Sequence, residues 1–593
     1  MKSRKVVLLE GFFNPADIRQ NISGDTDVLA VTPASILACD IYKQKYIAFD
    51  SLYNAHTFRK ENLLLIRDIE FLFGEIDNEY KKYFTYPRAF TGNIYPFIVF
   101  FASLLYISRI SESIKNTYQK ISYIGTKYPV YLSKLDKMNF RNNEIFYRYT
   151  FGIDNMLAML QSTLIIDEFI EINTNRINDK NKRLNNLKNT LHFGKHYLLM
   201  IINSVTRRKT DTVFIFNINY EVLHIKEFLK RDYNIIHTSV ITLLKVRKDR
   251  KLYHQYLYSK YVDDLIEKWT VFRSVKQYIL KIFRIYHDCM LTGIESLGKS
   301  FNQYLHRYNP HCLIHSTGAI TVIDDLFCFI AENRKIPIFY FQHAGATSFH
   351  SDPYNKYCDY NENIKKINIL YSVKDFDENK DFLKEGAPLG SVQLYEFYHK
   401  KVQATKDILY CPGIFAISSY KEIMRSLTDL EKHRQCNEVL DIIYRSHISA
   451  DIKIHVIEED YYYCYFINLL NTFKSHEFRL LKGFKVEKIM KDYKLLILDF
   501  IGSQLIALSI LIEVPVILYI KDKSFINKNY FEDVLKIFYV VESKDELGEL
   551  IDQYKKGMLE PKFNIDMVKK YAFPDVDKNP KTDIYDYIKN YKQ

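Results

Sequence analysis

Apolar runs of strand length, each followed by a turn and a helical pattern, recur along this chain. The clearest example is 494–519, KLLILDFIGSQLIALSILIEVPVILY, with a buried run at 495–498, a turn at 499–503, an apolar helix and a second run after Pro515. Neither run alternates with polar residues, which is typical of parallel strands covered by helices on both faces. The pattern therefore predicts an α/β protein.

The same pattern predicts strands near both ends of the chain and a long helical stretch between them. At 593 residues the chain is too long for one core, so we expect two Rossmann-like domains facing across a cleft. The predicted units are an N-terminal domain at 1–345 with a helical insertion at about 60–210, a C-terminal domain at 346–575 and a tail at 576–593. The N-terminal strands at 5–9, 28–31, 46–49, 212–217 and 312–315 are expected to share one sheet.

Charge and cysteine usage narrow the class of protein. The 83 basic and 71 acidic residues give a net charge of +12, which suits an anionic ligand, a membrane surface or nucleic acid. We find no RNA-binding signature, zinc-finger spacing or long basic tract, which argues against nucleic acid. The eight cysteines include no CxxC pair, and a strand begins at residue 5 without a signal peptide, so a cytoplasmic protein is expected.

One apolar run is a candidate for a helix that crosses or contacts a membrane. The segment 94–107, IYPFIVFFASLLYI, is about 14 residues long, whereas a helix that crosses a bilayer needs ~20. A buried core helix is the favoured interpretation. Peripheral contact with the inner membrane stays open because Arg109 and nearby lysines suit anionic lipid.

Polar residues at four strand ends are the candidate ligand-binding positions, because ligands of parallel sheets bind at the carboxyl ends of strands. A histidine there moves protons near neutral pH, and glycine lets a backbone approach a phosphate. A structural histidine, an ordinary loop or a capped turn without a ligand are the competing interpretations. The candidates are Gln342, His343 and Gly345; Gly413; Lys453 and His455; and Asp499, Gly502, Ser503 and Gln504.

The order of these motifs, QHAG, CPG, KIHV and then DFIGS before VPVILY, resembles the GT-B glycosyltransferases. Within them the chain looks most like bacterial transferases of capsule and lipopolysaccharide synthesis, including Kdo and sialic-acid transferases and CDP-glycerol polymerases. The resemblance implies that the second domain binds a nucleotide sugar, with phosphates near Ser503, Lys453 and the start of the following helix, and with no metal or cofactor. Two positions depart from the pattern: Val456 follows His455 where many relatives have proline, and Ala344 is inserted before Gly345.

The resemblance also implies a base in the first domain that deprotonates the acceptor. Glu10, at the end of the first strand, and Asp50, after the strand YIAF, are the two candidates, and His343 or His455 would assist departure of the leaving group. The predicted activity is transfer of a sugar, with a CMP-linked ulosonic acid as one donor, to a surface-polysaccharide or lipid-linked acceptor. A nucleotide-sugar epimerase or hydrolase, or a non-catalytic scaffold on the same fold, is the alternative.

Overall fold

The structure is a computed structural model of the chain. It describes residues 5–11, 22, 24–82, 85–128, 153–171, 211–216, 220–237, 256–289, 291–315, 322–342, 349, 366–380, 383, 385–416, 427–455, 462–473, 478–501 and 504–591. Three parallel sheets organise these residues.

The first sheet is built from the N-terminal 171 residues and has the strand order β3-β2-β1-β4-β5. All neighbouring strands are parallel, as expected of strands joined by helical crossovers. Its strands are β1 Lys5–Leu9, β2 Thr26–Ala30, β3 Ile47–Ala48, β4 Lys120–Gly125 and β5 Glu168–Glu171, and its helices are α1 Pro33–Ile41, α2 Ala55–Tyr80, α3 Ile94–Thr117 and α4 Ile153–Thr163, with a 3₁₀ turn at Phe49–Leu52.

The second sheet has the order β11-β10-β9-β8-β6-β7 and is also parallel throughout. Its strands are β6 Thr212–Phe216, β7 Asn234–His237, β8 Cys312–His315, β9 Ile338–Phe341, β10 Ile367–Leu370 and β11 Glu385–Pro388. The helices between and after these strands are α5 Tyr220–Asp232, α6 Tyr258–Lys268, α7 Lys276–Cys289, α8 Ile294–Tyr308, α9 Val322–Asn333, α10 Val373–Asn379 and α11 Val392–His399.

The third sheet, β14-β13-β12-β15-β16-β17, follows the strand order 3-2-1-4-5-6 of dinucleotide-binding folds when its strands are numbered from β12. Its strands are β12 Lys406–Cys411, β13 Ala450–Lys453, β14 Phe478–Leu481, β15 Tyr493–Leu498, β16 Val516–Tyr519 and β17 Tyr539–Val541. Its helices are α12 Asp429–Arg445, α13 Tyr463–Thr472, α14 Val486–Ile489, α15 Gln504–Ser509, α16 Phe531–Ile537, α17 Lys544–Lys555 and α18 Ile565–Tyr571.

The last helix, α19 Pro580–Asn590, crosses back to the second sheet. Its Ile584 and Ile588 are fully buried in the same cluster as the strand residues Ile314 and Phe339. His311 reinforces this packing through a 3.0 Å hydrogen bond between its Nε2 and the Ile588 carbonyl oxygen. The tail therefore ties the end of the chain to the second sheet, as a helix that packs back.

The α/β class and the Rossmann-like domains predicted from the sequence are confirmed, and the structure divides the N-terminal half differently. Strands 5–9 and 212–216, expected in one sheet, lie in two separate sheets. The predicted helical insertion at about 60–210 contributes β4 and β5 to the first sheet. The second sheet also continues past residue 345, the predicted domain boundary, because β10 pairs with β9 and β11 pairs with β10.

The apolar segment at 94–107 is part of the 24-residue helix α3. This helix is long and apolar enough to cross a membrane, but 83% of its most apolar window is buried inside the protein. Phe97 and Phe101 pack against Phe283 of α7, with ring centroids 4.9 and 6.2 Å apart. The favoured interpretation as a core helix therefore agrees with its packing.

Candidate active-site cleft

The first and third sheets enclose a cleft of about 620 Å³. One wall is the 3₁₀ turn Phe49–Leu52 after β3 together with the first turns of α2. The other wall is the start of α12 and Lys521 and Asp522, which follow β16. The carboxyl ends of strands from two parallel sheets thus meet here, which is where α/β proteins bind ligands. We call it the Asp50 cleft.

Asp50 is the most unusual side chain of the cleft. It is only 6% exposed, and its Oδ2 accepts a 2.9 Å hydrogen bond from the Leu430 backbone N–H across the domain interface. Its Oδ1 is buried and makes no hydrogen bond. Burial raises the pKa of Asp50 from 3.8 to about 6, and the charge of Glu431 adds to the rise. Hydrogen bonds from the Leu430 and Asp429 N–H groups and from the Thr428 side chain oppose it. Asp50 is thus a buried carboxyl group whose pKa lies near the physiological range.

Two helices begin at the Asp50 cleft. Asn54 caps α2 by accepting from the Thr57 N–H at 3.0 Å. Thr428 and Glu431 form a capping box at the start of α12, with the Thr428 N–H 2.9 Å from the Glu431 carboxylate. The positive ends of both helix dipoles therefore face the same space, and they favour negative charge there.

Four basic side chains line the Asp50 cleft, and two of them have partners. Arg59 lies 3.7 Å from the Asp522 carboxylate and over the Phe525 ring, and burial lowers its pKa. Lys521 pairs with Glu438 at 2.6 Å. The other two are Arg434 and His56, which make no hydrogen bond or ion pair with any residue that the structure describes.

Glu10, the other candidate base, lies at the junction of β1 and β4 in the first sheet and is 4% exposed. Its carboxylate accepts hydrogen bonds from the hydroxyls of Tyr123, at 2.8 Å, and Tyr128. A side chain on Gly125 would collide with it, because a Cβ there would lie 2.7 Å from Glu10 Oε2. Tyrosine side chains therefore enclose Glu10. Of the two predicted bases, only Asp50 lines the Asp50 cleft.

In the third sheet, the predicted residues Gly413 and Asp499 come together between β12 and β15, where the strand order reverses. Asp499 Oδ1 accepts from the Gly413 N–H at 2.6 Å and from Lys432 Nζ at 2.5 Å, and Oδ2 accepts from the Tyr410 hydroxyl at 2.6 Å. Lys432 is fully buried and Asp499 is 2% exposed. This carboxylate therefore joins the ends of both strands to α12.

The remaining predicted donor-binding residues occupy separate positions. Gln342 links two strands of the second sheet, since its Oε1 accepts from the Tyr371 N–H at 2.9 Å. Lys453 ends β13, and its Nζ donates to the Ile454 carbonyl oxygen at 2.6 Å. His455 is exposed, and Gln504 begins α15. The predicted residues His343, Gly345, Gly502 and Ser503 lie outside the described residues.

Sequence reasoning missed the partners that α12 supplies. The apolar pattern of the sequence predicts two helices, at 420–433 and 436–446. The structure has one helix at Asp429–Arg445, and residues 420–426 lie outside the described residues. The signal was present as TDLE at 428–431, a capping-box sequence that marks a helix start. A helix predicted to begin after Thr428 would have placed Leu430, Glu431 and Arg434 at the edge of the third sheet.

Replacing Gly413 with alanine is expected to destabilise the third sheet by about 1–3 kcal/mol, as overpacking does. The new Cβ would lie 2.9 Å from Phe500 Cβ and 3.0 Å from Lys432 Nζ. Gly548→Ala in α17 is the matched control, because its Cβ meets no atom within 4 Å and alanine should gain ~0.5–1 kcal/mol in a helix. Thermal denaturation of both variants checks this, and equal midpoints would contradict it.

Comparisons with known proteins place the chain in no sequence family. No family model and no curated protein matches. Similar solved structures include the UDP-GlcNAc 2-epimerase of Methanocaldococcus jannaschii in complex with UDP-GlcNAc and UDP (12% identity, TM-score 0.36, 64% of this chain and 100% of that one). They also include MurG of Acinetobacter baumannii (10%, 0.35, 64% and 100%) and the glycosyltransferase SnogD of Streptomyces nogalater (10%, 0.28, 60% and 97%). At these identities and TM-scores the similarity carries no argument about this chain.

Proposed function

We propose that the protein is a glycosyltransferase that moves a sugar from a nucleotide-activated donor to a hydroxyl acceptor bound in the Asp50 cleft. The observation that carries the proposal is Asp50 itself, a buried carboxyl group with a pKa raised to about 6 that lines a cleft between two domains. A general base works best when its pKa lies near the operating pH.

In the proposed reaction, the Asp50 carboxylate accepts the proton of an acceptor hydroxyl. The hydroxyl oxygen of the acceptor forms a bond to the anomeric carbon of the donor sugar, while the bond from this carbon to the phosphate oxygen breaks and the nucleotide leaves with the electron pair. The hydrogen bond from Leu430 fixes the carboxyl group during this step. Preorganised positive ends of helices stabilise the negative charge that develops on the leaving phosphate.

The strand order of the third sheet supports nucleotide binding at its carboxyl edge, since dinucleotide folds bind ligands where the order reverses. Gly413 and Asp499 mark that point, between β12 and β15. A CMP-linked ulosonic acid and a surface-polysaccharide acceptor remain the finer proposal from the sequence resemblance. We also propose a cytoplasmic location. We do not assign a membrane contact to α3, because this helix is mostly buried inside the protein.

Titration with CMP, CDP, UDP and GDP tests the donor side. A nucleotide at one hundred times its dissociation constant should add about 2.7 kcal/mol to the folded state and raise the thermal midpoint. Inorganic phosphate serves as the control for a simple charge effect. A protein that responds to none of the four nucleotides would contradict the proposal, and a response to CMP alone would support a CMP-linked donor.

A further inference from the structure

We propose that the outer face of α2 docks on an anionic membrane surface, where Lys60 and Arg67 meet lipid phosphates and Leu64 and Phe71 enter the lipid layer. The inference goes beyond the proposed function, because these four residues lie outside the lining of the Asp50 cleft. Binding to a vesicle requires neither a donor nor an acceptor, so the two proposals fail in different experiments.

The exposed side chains along α2 form one stripe, because they recur every three to four residues and their last member lies two turns further on. The opposite face of the helix is fully buried in the core through Leu65, Ile69 and Phe73. The stripe is therefore a fixed surface, and from Lys60 to Phe71 it is about 16 Å long. Its members are Lys60, Leu64, Arg67, Phe71 and Asn78.

Large apolar side chains of this stripe face solvent. Phe71 is 73% exposed and Leu64 is 54% exposed, and Leu63 on the flank of the stripe is 43% exposed. Single exposed apolar residues are normal on protein surfaces, whereas several on one face indicate an interaction surface. The outer face of α2 therefore has apolar area that a partner would remove from water.

The charges of the stripe have one sign. Lys60 and Arg67 are exposed, and neither makes a hydrogen bond or an ion pair with any residue that the structure describes. The acidic residues of α2 are all described, and each is buried or half-buried and lies off the stripe. Glu61, for example, pairs with Arg109 at 3.1 Å. The stripe therefore combines two cations with two apolar side chains and contains no carboxylate.

This mixture of side chains favours a lipid surface over a protein partner. Lysine is depleted in protein interfaces, whereas helices that lie on membranes carry Lys and Arg beside Leu and Phe. Each cation near anionic lipid strengthens binding about fivefold, and the net charge of +12 acts in the same direction. Because Arg59 lines the Asp50 cleft and Lys60 follows it, docking would also hold the cleft near the lipid, which suits a lipid-linked acceptor.

Flotation of the full chain with vesicles tests the inference. We expect vesicles of phosphatidylcholine mixed with phosphatidylglycerol to bind at least about tenfold more tightly than phosphatidylcholine alone, and added salt to weaken this binding. The variant Lys60→Gln/Phe71→Ser should lower affinity for the anionic vesicles at least about tenfold, because it removes a cation worth about fivefold and an apolar side chain. Both side chains are exposed, so the thermal midpoint should stay unchanged.

Lys482→Gln/Phe484→Ser is the matched control, because it removes the same charge and the same ring from exposed positions after β14. It should bind the anionic vesicles as tightly as the wild-type protein. Equal losses in the two variants, or wild-type protein that does not distinguish the two kinds of vesicle, would overturn the inference. A dimer that only Lys60→Gln/Phe71→Ser dissociates in ultracentrifugation would also overturn it, since the face would then bind a second copy.

The nucleotide titration keeps the two proposals apart. A nucleotide response without binding to anionic vesicles would overturn the inference and leave the proposed function standing. Binding to anionic vesicles that depends on Lys60 and Phe71, without any nucleotide response, would support the inference and remove the proposed function alone.

Discussion

The Asp50→Asn variant is expected to transfer sugar about 10²–10⁴-fold more slowly than the wild-type protein, the usual contribution of a general base. Asparagine has nearly the same shape and keeps an oxygen that accepts the Leu430 N–H, so the start of α12 should stay in place. What is lost is the capacity to take up a proton. Steady-state release of nucleotide, measured with donor and acceptor together, reports the change in kcat.

Asp40→Asn is the control for this experiment. Asp40 also lies between the first and third sheets, where its Oδ2 is 2.9 Å from His433 Nε2, but it does not line the Asp50 cleft. We expect Asp40→Asn to keep its kcat. If both variants lost activity equally, domain docking and not proton transfer would explain the result; if neither did, Asp50 would not be the base.

The pH dependence of activity and of stability is a second, independent test of the role of Asp50. Its carboxyl group must be ionised to accept a proton, so kcat/KM should rise about tenfold per pH unit below a pKa of about 6 and level off above it. Between the unfolded pKa near 3.8 and about 6 the folded state binds more protons, so this group lowers stability as pH rises through that window. Asp50→Asn should therefore be no less stable than wild type at pH 7, and its activity should lose the acid limb.

Local signals in the sequence explain why most strands and one of the site residues were predicted. Buried parallel strands such as β15 and β16 appear as continuous apolar runs, and Asp50 is recognisable because it follows a strand. Sheet membership was missed because it depends on pairing between distant segments. In the same way, the contact between Asp50 and Leu430 joins residues that are 380 positions apart, so no local sequence pattern predicts it.

The role predicted for Asp499 shows the same limit. Its place after β15, before a glycine-bearing turn, favoured contact with the donor. The structure surrounds it with the protein donors Lys432, Tyr410 and Gly413, which lie 67, 89 and 86 positions before it in the sequence. A carboxylate whose both oxygens are occupied in this way holds strand ends together, which is a stability role, and its part in donor binding stays a prediction.

Replacing Asp499 with alanine should therefore destabilise the third sheet strongly. The change leaves the fully buried Lys432 ammonium group without its partner at 2.5 Å and removes the acceptor of two further hydrogen bonds. Breaking a buried ion pair from one side costs about 3–5 kcal/mol. A protein with several domains seldom unfolds in one step, so hydrogen exchange is the better measurement, and we expect amides of β12 and β15 to exchange about 10²–10³-fold faster.

The double variant Lys432→Met/Asp499→Asn separates the charge pair from the donor-binding prediction. Asparagine still offers an oxygen to the Gly413 N–H, and methionine fills the space of the lysine without its charge, so most of the lost stability should return, as it does when buried ion pairs are replaced by matched groups. If the double variant is stable and keeps the nucleotide-dependent rise in thermal midpoint, the Asp499 carboxylate does not bind the donor. If it exchanges slowly but no longer responds to nucleotide, Asp499 or Lys432 contacts the donor as well as the sheet.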